Sequence, residues 1–105
     1  MELSKIDQYR MRRSQNLPNL KDIIGERVKP IAELEHEYQD AQGELHTVLT
    51  IMLSDKRCFR TEVRAFIENY HDFVESFGED ERPDIMITGK DSKRGNKYIN
   101  FEVVE

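Results

Sequence analysis

The sequence predicts a mainly β domain with one central helix: five strands in the order β-β-β-α-β-β, preceded by a short helical arm. Three observations predict it. Apolar residues alternate through Glu44–Leu53 and, more loosely, through the segment after Val28, which is the period of a strand. Residues 63–77 instead repeat their apolar groups every three or four positions, which is the period of a helix with one buried stripe. Residues 84–104 then read as two apolar strands around a loop that carries four cations.

Residues 1–23 read as a basic arm. Ser4 is placed to cap a short helix through Lys5–Arg13, with Ile6, Tyr9 and Arg10 or Arg13 on one side, and Asn16-Leu-Pro-Asn19 ends it. So short a helix does not persist alone in water, so the arm is expected to be mobile unless it docks on the domain or on a ligand. Lys21–Gly25 adds one further turn. The domain proper is expected over residues 24–105. Its first strand carries Ile31, Leu34, His36 and Tyr38 after Pro30, which suits a strand start or edge. Gln39–Gly43 is a turn.

The second strand places Leu45, Thr47, Leu49, Ile51 and Leu53 on one face and His46, Val48, Thr50 and Met52 on the other. Apolar groups on both faces make it central. Ser54–Lys56 turns the chain into a short third strand, Arg57–Arg60. Thr61 is the expected N-cap of the helix, whose stripe is Val63, Phe66, Ile67, Tyr70, Phe73, Val74 and Phe77, stopped by Gly78. Ile85 and Ile87 mark the fourth strand. Ile99, Phe101 and Val103 mark one face of the fifth, with Tyr98, Asn100 and Glu102 on the other. A long first strand, a helix between the third and fourth, and a final hairpin match the OB-fold, a five-stranded Greek-key barrel.

Composition bounds the function. Charged residues make up 35% of the chain and apolar ones 37%, so the core is thin. No apolar run is long enough to span a membrane, and no apolar leader follows the N-terminus. The single Cys58 excludes an internal disulfide and suits a reducing cytoplasm. The net charge of −5 is unevenly spread: residues 1–32 carry +3, residues 33–81 carry −9 and residues 82–105 carry +1. A chain of this total does not coat nucleic acid with its whole surface, but a localised basic groove remains compatible with it.

Residues Ile85–Val104, with Gly89-Lys-Asp-Ser-Lys-Arg-Gly-Asn-Lys97 between the strands, resemble the final hairpin of small OB-fold single-stranded DNA-binding proteins, above all those of bacteriophages and mobile elements of bacteria. The likeness extends over about residues 24–105 and rests on architecture and this one hairpin. It implies binding of single strands without catalysis, during DNA replication or recombination, in the cytoplasm of a bacterial host. The loop cations and Tyr98 are the residues it carries over. The chain departs from the bacterial members in having no Trp and no long acidic tail to recruit other replication proteins.

The residues support the same reading on their own. Single-strand binding needs cations along the backbone and flat side chains for base stacking. Lys90, Lys93, Arg94 and Lys97 supply the first and Tyr98 the second, if it points outward. Arg57 and Arg60 bracket Phe59, a stacking platform if exposed and core if buried. Tyr38 is placed to line the same cleft. Tyr9, Arg10, Arg12 and Arg13 of the arm are placed to close over a bound strand. Glu33, Glu35 and Glu37 would repel it. RNA is an alternative ligand, a host or phage replication protein an alternative partner, and exposed edge strands allow pairing between copies.

Catalysis, cofactors and metals are not expected. Gly89 to Gly95 misses the phosphate-loop spacing by one residue, Asn96 separates Gly from Lys, and the context is strand–loop–strand. Glu79-Asp80-Glu81 reads as solvated loop acids, Cys58 has no base beside it, and His36, His46 and His71 are scattered. A rival reading takes the −9 stretch as the working surface: a small acidic phage-type protein that binds a basic site on a host protein, imitating DNA charge through Glu68, Asp72, Glu75 and Glu79–Glu81.

Overall fold

A computed structural model of the chain describes residues 4–12, 17–78, 81–91 and 97–104. The elements are α1 (Lys5–Arg12), a 3-10 turn (Leu20–Ile23), β1 (Arg27–Val28), β2 (Pro30–Gln39), β3 (Leu45–Leu53), β4 (Cys58–Thr61), α2 (Arg64–Phe77), β5 (Asp84–Asp91) and β6 (Lys97–Val104). The strands form two antiparallel three-stranded sheets, ordered β2-β3-β4 and β1-β5-β6. Only Lys29 separates β1 from β2, so what the sequence presents as one first strand bends out of one sheet and into the other. The bend falls beside Pro30, where the β2–β3 register also shifts. Proline supplies no N–H to a ladder, which suits a strand boundary.

The five-stranded barrel is the expectation that the described residues do not reproduce. Among them no ladder joins β4 to β6, so the two sheets do not close. The outer edge of β4 is occupied instead by the arm: Arg60 N–H donates to Pro18 O at 2.9 Å and Asn19 bridges Arg60 in parallel. The same segment reaches the other sheet, where Gly25 N–H donates to Ile87 O at 2.7 Å. Leu20 and Ile23 drop from it into the main core. Residues 17–26 therefore pack as part of the domain rather than as a loose extension.

β3 is central and buried on both faces, as its two apolar faces predict. Leu49, Ile51 and Leu53 face the main core with Phe59, Ile85, Ile87, Ile99 and the helix α2. Phe66, Tyr70 and Phe73 of α2 surround Phe101 of β6, with ring centroids 5.0, 5.8 and 5.8 Å away. Met52 on the other face belongs to a smaller cluster with Met11, Ala32 and Cys58.

Thr61 does not cap α2. It is still paired with Leu49 in β4, and the N-cap is Val63, extended and without a side-chain cap. The Thr61 hydroxyl instead accepts from Val63 N–H at 3.1 Å, bracing the strand-to-helix turn two residues earlier than a cap would. At the other end Gly78 stops the helix with φ +68°, a region that favours glycine.

Candidate nucleic-acid interface

The arm docks. Ser4 caps α1 as its position predicts: its hydroxyl accepts from Asp7 N–H at 3.1 Å. Met11 is fully buried against the outer face of β2-β3-β4, and the Thr50 hydroxyl donates to Met11 O at 3.4 Å. With Met11 turned inward, Tyr9 and Ile6 stand outward, 59% and 66% exposed.

Docking creates a cleft of about 590 Å³. Tyr9, Arg10, Leu17 and Pro18 form its arm side; Lys56, Arg57, Cys58 and Phe59 form its sheet side. Four residues that the sequence singles out, Tyr9, Arg10, Arg57 and Phe59, thus meet at one place although they come from opposite halves of the chain. Phe59 is buried, the core outcome of its two readings, and offers no open face for a base. The Arg57 guanidinium lies over its ring, 5.5 Å from the centroid. Arg57 also binds Asp55 at 2.6 Å and approaches Glu26 at 3.5 Å. The bonds from Arg57 N–H and guanidinium hold the Asp55 carboxyl below its usual range. Lys56 approaches Asp7 at 3.9 Å, whereas Arg10 makes no ion pair among the described residues. Burial pushes the Cys58 thiol up, favouring its protonated form.

Lys56, Leu17 and Pro18 are the lining residues that sequence reading missed. Lys56 holds the left-handed conformation, φ +73°, in the β3–β4 turn, where Asp55 accepts from Arg57 N–H at 3.1 Å. A Ser-Asp-Lys-Arg turn ahead of a strand is a legible signal for two adjacent cations. Leu17 and Pro18 read only as a helix break.

The remaining predicted residues lie elsewhere. Tyr98 is 57% exposed, as stacking requires, and is in register with Lys90 across the β5–β6 hairpin; Lys97 is in register with Asp91. Arg12 ends α1. Arg13, Lys93 and Arg94 lie outside the described residues. Tyr38 and Arg60 do not line the cleft: both engage Glu62, at 3.0 and 3.1 Å, and Tyr38 stacks on His46 at 5.0 Å. Glu33 is not a free repelling charge, because Arg82 and the Tyr70 hydroxyl bind it. Burial, with the Glu33 charge second, pushes the Tyr70 hydroxyl up.

A second groove of about 610 Å³ runs between the β2–β3 hairpin and α2, where Glu35, Glu62 and Glu68 are paired with His71, His46 and Arg64. Beside it Asp40, Glu44 and His46 bring potential ligand atoms within 4.8 Å of one another. His46 is already committed at both ring nitrogens, Nε2 to Asp40 at 2.8 Å and Nδ1 to Glu62 at 3.2 Å. Among the described residues no helix is long and apolar enough to cross a membrane. Comparison with protein families, with curated proteins and with solved structures finds no match to this chain.

Proposed function

We propose that this protein binds single-stranded DNA without sequence preference, in phage or mobile-element replication or recombination within a bacterial cytoplasm. The observation that carries the reading is the cleft: an acidic chain gathers Arg10, Lys56 and Arg57 around an apolar hollow with Tyr9 at its mouth. Single-strand sites combine these two ingredients, cations for the backbone and flat apolar surface for bases. The exposed Tyr98 of the β5–β6 hairpin is a second stacking group of the same kind. The fold, on this reading, is an opened relative of the OB barrel. Its support is the three-stranded meander, the helix before the final hairpin and the strand that bends between sheets at Lys29.

Fluorescence anisotropy of a labelled dT oligomer tests the function. Engagement of four or so phosphates gives a log–log salt slope of roughly −3, from about −0.7 per phosphate. No saturable binding at low salt ends the reading. RNA and duplex titrations alongside it establish the preference.

The groove beside α2 favours a second reading, in which a basic segment of another protein replaces the His71, His46 and Arg64 partners of Glu35, Glu62 and Glu68. Leu45, 70% exposed at its margin, offers that partner an apolar contact. Absence of oligomer binding together with capture of one basic protein, abolished by charge reversal of Glu62 and Glu68, would favour it.

A further inference from the structure

The lining of the arm cleft holds both kinds of group that a nucleotide calls for. Leu17 and Pro18 supply the apolar wall, and Tyr9 adds an exposed ring. Arg10, Lys56 and Arg57 form a cationic part. Among the described residues no acid lines the cleft, in a chain that has 21 of them against 16 Lys and Arg. The volume, about 590 Å³, has room for one small molecule.

We infer that this cleft seats a single nucleotide, its base against the apolar wall under Tyr9 and its phosphate on Arg10. The inference rests on the single-strand reading and gives that reading an anchoring point. Arg10 takes the phosphate because the other cations are occupied to different degrees. Arg57 is bound to Asp55 and braced on Phe59, and Lys56 has a loose contact with Asp7. Arg10 is exposed and has no ion pair among the described residues. The apolar wall carries few groups that could read a base edge by hydrogen bonding, so the pocket is tolerant of base identity. Because α1 forms one wall, an occupied pocket fastens the arm to the sheet, adding to the contacts of Met11 and of Pro18 with Arg60. A free nucleotide and a nucleotide within a strand share this chemistry, and the test must separate them.

The test is an amide NMR titration of the full chain with dTMP, thymidine, inorganic phosphate and a dT oligomer. The expected result is that dTMP shifts the amides of Tyr9, Arg10, Leu17 and Lys56–Phe59, that thymidine and phosphate each shift them less, and that the oligomer shifts the same set. Arg10→Glu is expected to abolish the dTMP shifts. It and, separately, Tyr9→Ala are expected to weaken the oligomer by about tenfold, the worth of one stacked or paired nucleotide. Tyr98→Ala is expected to leave the dTMP response unchanged. Both cleft side chains are exposed, and a retained amide spectrum establishes that each variant folds.

An oligomer that binds without shifting the cleft amides overturns the inference and leaves the single-strand reading standing. Binding of dTMP but not of the oligomer overturns the single-strand reading and leaves a pocket for free nucleotides. Phosphate shifts equal to those of dTMP reduce the cleft to an anion site and overturn the inference. Silence from every ligand overturns both.

Discussion

Arg82 sits in a stretch, Glu81-Arg-Pro-Asp84, that has the composition of a solvated loop. Its side chain is nevertheless only 2% exposed, with hydrogen bonds to Gly78 O and to both carboxylate oxygens of Glu33. The bidentate geometry fixes the end of α2 to β2. Removing one partner of such a pair strands the other in a partly desolvated place. Arg82→Met is therefore expected to lower the unfolding free energy by about 3 kcal/mol, toward the lower end for buried pairs because Glu33 keeps a quarter of its exposure. A urea midpoint that does not move, at constant slope, would show that Glu33 recovers its solvation. His46 gives the corresponding test by pH. Its pKa is raised, chiefly by the bond from Nε2 to Asp40, while burial works against the rise. That stabilisation is complete below the unfolded imidazole value and is lost as pH rises through the raised folded value. The Asp40 carboxyl is lowered, chiefly by the same bond, so its share is present above the unfolded carboxylate value and is lost as pH falls through the folded one. The contact is strongest between the two unfolded values, about pH 4 to 6.5. An NMR titration of the His46 ring should show a midpoint above the ordinary imidazole value, and Asp40→Asn should bring it down. A midpoint indifferent to that change would assign the effect to Glu62.

At the scale of elements, α1 is the piece whose existence depends most on its neighbours. An eight-residue helix does not hold itself together in water. Met11 is what fastens it, filling a cluster with Ala32, Met52 and Cys58 that would otherwise expose the outer face of β3. Met11→Asp places a charge in that cluster, and the expected outcome is release of α1 with the β-sheets and α2 intact. Hydrogen exchange should then reach the α1 amides at the rate of an unfolded chain while the amides of β3 and α2 keep their protection. Equal loss of protection everywhere would mean that the arm is part of the cooperative core. The contrast between α1 and α2 explains what was legible in the sequence. α2 carries its own evidence, a stripe of seven apolar residues at helical spacing, and β3 carries alternation on two faces. Both signals are local, and both elements stand where they are predicted. The bend at Lys29 has a local mark in Pro30, whereas the N-cap of α2 at Val63 rather than Thr61 and the capture of the β4 edge by Pro18 depend on neighbours farther along the chain. No local pattern encodes the last two. The cleft is intermediate: Arg10, Arg57 and Phe59 are visible as candidates, but their convergence requires Met11 to dock.

At the scale of the whole molecule, the charge distribution decides what kind of binding to expect. A net charge of −5, with −9 concentrated in residues 33–81, gives no long-range attraction for a polyanion. Attraction must come from places where cations are grouped closely enough to outweigh that background within about one screening length of some 8–10 Å. Two stretches of the sequence are rich in cations: the arm with Lys56 and Arg57, and residues 90–97, with Lys90, Lys93, Arg94 and Lys97. They make separable contributions if a strand visits both. Replacing Lys90, Lys93, Arg94 and Lys97 with Glu should weaken a dT oligomer and flatten its salt dependence, by about 0.7 in slope for each phosphate that is no longer neutralised. The same replacement should leave the dTMP response of the cleft unchanged. Reversing Arg10 alone should do the opposite, abolishing the mononucleotide response while removing only one phosphate from the slope. If the fourfold variant folds and binds the oligomer as before, the hairpin is a solvated tip and the cleft with its arm carries the binding alone. If both variants are silent in every titration of the oligomer, the cations serve solubility, and the groove beside α2 becomes the surface to pursue.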